Sequence, residues 1–368
     1  MRTLLALLFM IIAVPPAMAR VFPCTAGDAE CIKTAIAHSN LDPTRPDVIE
    51  LDASTFTFDR QDNGDDVRGF TATPVIVGTL TIRGAGSSQT ILARDEAPDT
   101  PLFRLLHVGS GGTLRLESLT VQGGAVSPVF FNRGGCLLNE GDLVAHAFVV
   151  TRCEAWLGGG IHTARPATQR LSQCAITENT ADITAGGVTA AGATEIDGCL
   201  LADNLSESGA GFAFDPAAGT IVIRNSIIAG NLAFLNSGGG GEGVGELEAV
   251  NTVFLDNSSG ARGGALSLDD GHLTLRQVAL VGNQTANFGG GIFVNQGTVE
   301  VQRSLIANNR VVIGGAGGGI VTGRGTVILR NSVLAGNAAP VGPDCAGTVR
   351  VAGRTLVGDA RDCDVQPE

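Results

Sequence analysis

Thr326-Val327-Ile328-Leu329-Arg330-Asn331-Ser332-Val333-Leu334-Ala335-Gly336-Asn337 holds an apolar strand, a two-residue polar turn, a second short strand and a turn ending on asparagine. Thr220 to Asn231 and Leu273 to Asn283 follow the same grammar. The closing asparagine recurs as Asn179, Asn204, Asn231, Asn257, Asn283, Asn309 and Asn337, at intervals of 25, 27, 26, 26, 26 and 28 residues. Each element is too short for an ordinary helix, and β-branched residues dominate. A fixed step of this size marks a chain built by stacking one small unit. Parallel strands need connections of a dozen or more residues, and a coil of about 26 residues carrying two or three strands supplies them without helices. The expected fold is all-β: a right-handed parallel β-helix of about ten coils over residues 70–345, roughly 50 Å long.

Within that frame the repeated residue types have reasons. Asparagine tolerates left-handed backbone geometry, and stacked asparagine amides can bond the coils above and below, so the seven form a structural ladder at one corner. Five residues earlier stands Cys174, Cys199, Ser226, Thr252, Val278, Ser304 or Ser332, a slot expected to face inward. Glycine clusters such as Gly289-Gly290-Gly291 follow, where close approach or positive φ is needed. In the preceding coil Arg152 takes the asparagine place, which predicts a local irregularity.

The ends read differently. Residues 1–19 have the form of a signal peptide: Arg2, an apolar run from Leu4 to Val14, and Ala17-Met18-Ala19 as a cleavage signal. The run is too short to span a bilayer, and no second long apolar segment follows. An exported protein with no transmembrane segment after signal removal is expected, in the extracellular space, the periplasm or the outer envelope. Residues 20–47 form an N-terminal cap, with Thr25 to Asp28 as a capping box and Ile32, Ala35 and Ile36 at helical spacing. Residues 48–347 are the β-helix and 348–368 a C-terminal cap segment. The net charge of −12 and a single lysine, Lys33, argue against nucleic acid as a partner. Eight cysteines suggest disulfides Cys24–Cys31, Cys136–Cys153 and Cys345–Cys363. Cys174 and Cys199 occupy one slot in successive coils, where they either bond or pack as free thiols; packing is slightly favoured.

Cys31-Ile32-Lys33-Thr34-Ala35-Ile36, followed by Asn40 and Asp47-Val48-Ile49, resembles the "CSLREA" segment of secreted bacterial β-helix proteins, with Ile, Lys and Thr in place of Ser, Leu and Arg. Gly342-Pro343-Asp344-Cys345 through Leu356-Val357-Gly358-Asp359 to Cys363 resembles the C-terminal segment of choice-of-anchor-Q-type proteins. Gly263-Gly264-Ala265-Leu266 and Phe254 to Asn257 resemble repeats of chlamydial polymorphic outer-membrane proteins. The resemblance implies a pectin-lyase-type right-handed parallel β-helix at the cell envelope, and it implies no particular activity.

Chemistry is sparse. Arg224, Arg276 and Arg330 share a slot seven residues before the ladder asparagine, and Trp156, beside Arg152, could stack on a sugar ring. These five are the candidate binding residues. Asp62, Asp65 and Asp66 form an acidic loop that could hold Ca²⁺, without EF-hand spacing. Asp269-Asp270-Gly271-His272 reads as an exposed turn, and Glu242, Glu246 and Glu248 as solvated acids. No catalytic residue and no resident cofactor is assigned. The expected function is a non-catalytic, adhesin-like scaffold that binds extracellular glycan or a neighbouring cell surface. The alternative is a lyase or glycoside hydrolase acting on acidic polysaccharide, with Ca²⁺ if a lyase.

Overall fold

The computed structural model describes residues 18–65, 69–127, 132–215 and 219–368. All but the last two residues of the expected signal peptide lie outside these, as does Asp66. One coil shows the plan. The strand Leu266–Arg276 bends midway; the chain turns at Gln277 (φ 55°), continues as Ala279–Val281, and turns again at Gly282 (φ 70°). The two-residue strand Gln284–Thr285 follows, and Gly289-Gly290-Gly291 returns the chain to Ile292–Val294 directly above its start. Every segment stacks in parallel on its equivalents, Ala279–Val281 between Val253–Leu255 and Leu305–Ala307.

The result is an all-β parallel solenoid whose three faces carry 21, 12 and 7 strands among the described residues. It has about 13 turns, not ten. The extra rungs come from the ends. Val21–Cys24 pairs in register with Asp47–Leu51, and Cys363–Pro367 stacks on Cys345–Ala352. Those segments lack the asparagine phrase, so counting by its period passes over them.

Side-chain alternation fills the coil. Each long-strand segment turns two residues inward, such as Leu273 and Leu275, and the second face turns one inward, such as Leu280. The third face contributes mostly small residues, Ala155, Ala181, Ser206, Ala233, Ser259 and Thr285, with Val311 on its last strand. This wall sits close to the opposite corner. A Cβ on Gly187 would lie 2.3 Å from the Gly211 carbonyl oxygen and 3.2 Å from the Asn204 amide nitrogen. Glycine there lets the wall close on the ladder.

The asparagine ladder is continuous and buried. Asn257 Oδ1 accepts from the backbone N–H of Asn231 (3.1 Å) and from its Nδ2 (2.9 Å). Asn257 Nδ2 donates to Ile228 O and to Asn283 Oδ1, both at 2.9 Å. All four bonding positions of the amide are therefore used. The same geometry runs from Asn179 to Asn337, which donates to Asp344 Oδ1 at 2.9 Å. Two expectations are corrected. Positive φ falls on the residue before the asparagine, as at Glu178 (57°), Asp203 (56°) and Asp256 (52°). Arg152 (φ 54°) occupies that preceding place, and Cys153 takes the ladder position, its N–H donating to Asn179 Oδ1 at 3.1 Å.

The helix Ala29–Asn40 covers one end, with Ile32, Ala35 and Ile36 in the core. Its N-cap is Asp28, which accepts from Cys31 N–H at 3.1 Å, rather than Thr25. Lys33 is buried against the Phe58 ring and pairs with Glu30 at 2.9 Å. Four disulfides form: Cys24–Cys31, Cys136–Cys153, Cys174–Cys199 and Cys345–Cys363. Cys174 and Cys199 are thus bonded, not merely packed, because stacking in register brings their Cα atoms within 4.5 Å, inside the range a disulfide spans.

Asn257→Ala removes four buried hydrogen bonds and orphans the donors of Asn231. A loss of about 3 kcal/mol or more is expected in chemical denaturation. The exposed Asn236→Ala should stay within about 0.5 kcal/mol. Equal effects would show that the ladder does not stabilise the fold.

Candidate functional site

The short strands that open each coil hold a row of residues with an unusual environment. In Ile161–Thr163 both flanking side chains turn into the core, so alternation points His162 outward. Yet His162 is only 3 % exposed. Register places His107, Leu138, His162, Thr189, Ala213 and Glu242 in one column along six successive coils. Outward-facing but covered, this column is the floor of a trough. One wall contains Arg133, Leu157 and Thr184, joined to their neighbours by single parallel bridges. The other contains residues just past the short strands: Glu140, Arg165 and Asp215. Farther along, Arg262 lies over the floor residue Phe293, 5.0 Å from its ring centre, and fills the channel. Before that point lies an open cavity of about 630 Å³, with His162 and Thr189 among its lining residues.

The polar groups here are unevenly satisfied. Arg165 pairs with Asp215 along that second wall, and His107 Nε2 lies 3.0 Å from Glu140 Oε2. Beneath the wall Arg104 is fully buried and donates to the carbonyls of Gly69, Arg133 and Gly134 and to the Thr71 hydroxyl. Both ring nitrogens of His162, and the Thr189 hydroxyl beside it, are buried with no partner among the described residues. Burial, with Arg133 and Arg104 adding positive charge nearby, pushes the His162 pKa down to about 3. The imidazole is therefore neutral at physiological pH, able to donate one hydrogen bond and accept another. Three coils along, burial raises Glu242 to about 7; a Ser208 hydrogen bond opposes this and the Asp269 charge adds to it.

The residues singled out from sequence lie elsewhere. Arg224, Arg276 and Arg330 project from the outer side of the long-strand face. Glu248 sits between Arg224 (3.6 Å) and Arg276 (3.5 Å), and Arg330 bonds Glu300 (2.8 Å) and Glu368. Arg152 is exposed and 3.5 Å from Glu96. Trp156 is half-buried on the third face, in the strand that carries Leu157 into the trough. Asp62 is exposed and the Asp65 backbone lies in the hairpin formed with Gly69–Thr71. Asp269 and Asp270 are exposed, not in a turn but at a bulge within one continuous strand. Glu246 bonds Thr220 at 2.9 Å, whereas Glu242, grouped with it from sequence, is on the trough floor. His162 and Thr189 carried no motif. Aligning the glycine clusters and reading two residues past each would have put them in one column. No family model, curated protein or solved structure matches this chain.

With its pKa depressed from 6.5 to about 3, His162 contributes stability that is complete above pH 6.5 and is lost as pH falls toward 3. It adds a slope of up to about 1.4 kcal/mol per pH unit across that window. His162→Asn should flatten the fall in thermal stability between roughly pH 6 and 4. An unchanged slope would mean that the imidazole titrates normally.

Proposed function

We propose that this protein is an exported β-helix that binds glycans in the trough, without chemistry, as a surface scaffold. Four disulfides suit an oxidising extracellular or periplasmic setting, and among the described residues no helix is long and apolar enough to cross a membrane. The observation carrying the reading is the floor of the cavity: a buried neutral imidazole and a hydroxyl, both without partners, beside the apolar surfaces of Phe214 and Leu157. A sugar ring offers the matching chemistry, hydroxyls on its edge and C–H groups on its face. A histidine with a pKa near 3 is a weak general base at neutral pH, which favours binding over proton abstraction.

One observation favours a second reading, glycoside hydrolysis. Glu242, which holds its proton up to about pH 7, faces the charge of Asp269 in the next coil. A carboxyl that keeps its proton near neutral pH, with a second carboxyl group close by, suits the general-acid role.

A glycan array followed by calorimetry separates the two. At least one oligosaccharide should bind, His162→Ala should weaken it about tenfold or more, and no new reducing ends should appear. Reducing ends that vanish in Glu242→Gln would establish the hydrolase instead, and an empty array would defeat both.

A further inference from the structure

The second face carries a strip that neither the core nor the trough uses. Its strands turn the middle residue inward, so the first and third point out. Register aligns the first positions from Leu200 through Ile227, Val253, Leu305 and Val333 to Leu356, with Ala279 midway. The third positions run Ala202, Ala229, Leu255, Val281, Ala307 and Ala335. In a chain of net charge −12, neither column holds a charged or polar side chain along this stretch. Leu200, Ile227, Leu305 and Leu356 are 38, 46, 40 and 56 % exposed. A continuous apolar patch of this size marks an interaction surface.

The chemistry of the strip narrows what covers it. Its strands are interior to a sheet, their backbone groups bonded to the coils above and below, so no peptide adds there as a strand. Of the positive-φ turn residues beside it, Asn225, Asn251, Gln277, Arg303 and Asn331, one alone is basic, which gives an anionic membrane little to hold. Another sheet face of the same coil height fits. The first column is mostly large and the third mostly small, and a twofold axis parallel to the coil axis sets each against the other. Leu255, the large exception in the small column, then has room beside Ala279 one coil on. The open groove of about 520 Å³ between Asn251, Gln277, Arg303 and the first column faces the opposite turn of the second copy, where Asp256 and Asn308 alternate with Gly230, Gly282 and Gly336. The strip is roughly 30 Å long and 20 Å wide. Two such faces bury about 1,200 Å², the lower end of what a specific pair needs.

We infer that two copies of this chain pair side by side and parallel through this strip. The trough lies at the corner between the third and first faces, opposite the strip, so pairing leaves both cavities open at one height. The inference is independent of what the trough binds.

Sedimentation equilibrium of the full mature protein, from about 1 to 500 µM, should show a reversible monomer–dimer equilibrium with a midpoint in the micromolar range. Ile227→Glu and, separately, Leu305→Glu, both at exposed positions, should weaken it about tenfold or more, because each places a charge in the apolar contact. The exposed Asn236→Glu, off the strip, should leave it within about twofold. Donor and acceptor dyes on a short N-terminal tag should transfer energy when the two labelled pools are mixed, since an antiparallel pair would set the N-termini roughly 80 Å apart. A monomer at every concentration overturns the inference, as does a dimer that survives both glutamates. A dimer without energy transfer overturns the parallel arrangement. A monomer that binds phosphatidylcholine vesicles, and loses them in Ile227→Glu, assigns the strip to a lipid surface instead.

Discussion

A buried amide column holds this solenoid together, and its geometry dictates what the rest of each coil can be. An asparagine side chain has two donor and two acceptor positions, and here all are filled: by its own kind one coil on, by backbone one coil back, and by the N–H and amide of the asparagine below. Such a column works only if every coil has nearly the same height and register. It also works only if the wall opposite comes close enough to exclude water. That second condition explains the glycine-rich return and the mostly small lining of the third face, alanine, serine and threonine up to Val311 on the last strand. Larger residues there would lift the wall away and hydrate the ladder. The apolar core accordingly concentrates on the other two faces, where leucine, isoleucine and valine fill the space.

The column needs a partner at each end, and the chain supplies two of different kinds. At one end a backbone N–H, that of Cys153, donates to Asn179; at the other the carboxylate of Asp344 accepts from Asn337. Both ends are clamped. Cys153 is itself bonded to Cys136, and Asp344 is followed by Cys345, bonded to Cys363. Covalent links therefore stand where the repeating hydrogen bonds run out and fraying would begin.

What could be read from the sequence divides along the same line. The ladder, its inward slot and the glycine return repeat with one period, so the parallel coil and its corners were legible from Asn179 onward. The end rungs were not, because Val21–Cys24 and Cys363–Pro367 carry no side chain that repeats with the period of the coils. The trough was hidden for a different reason. His162 gains its meaning from being outward and covered at once, a property of the bend between two strands of one coil and of the wall beside it. Arg224 and Arg276 looked like a stripe in the sequence and are one, but they share Glu248 on an outer face and line no cavity with it.

Because the ladder asks only for a donor at its first rung and an acceptor at its last, its length is unconstrained between them. Duplicating or losing one whole coil of about 26 residues leaves every amide with the same neighbours, whereas a gain or loss of a few residues breaks the column at that point. Evolution can therefore lengthen or shorten the rod in units of one coil at little structural cost. The cavity around His162 lies toward the donor end, so added coils beyond it would carry the same binding site on a longer stalk.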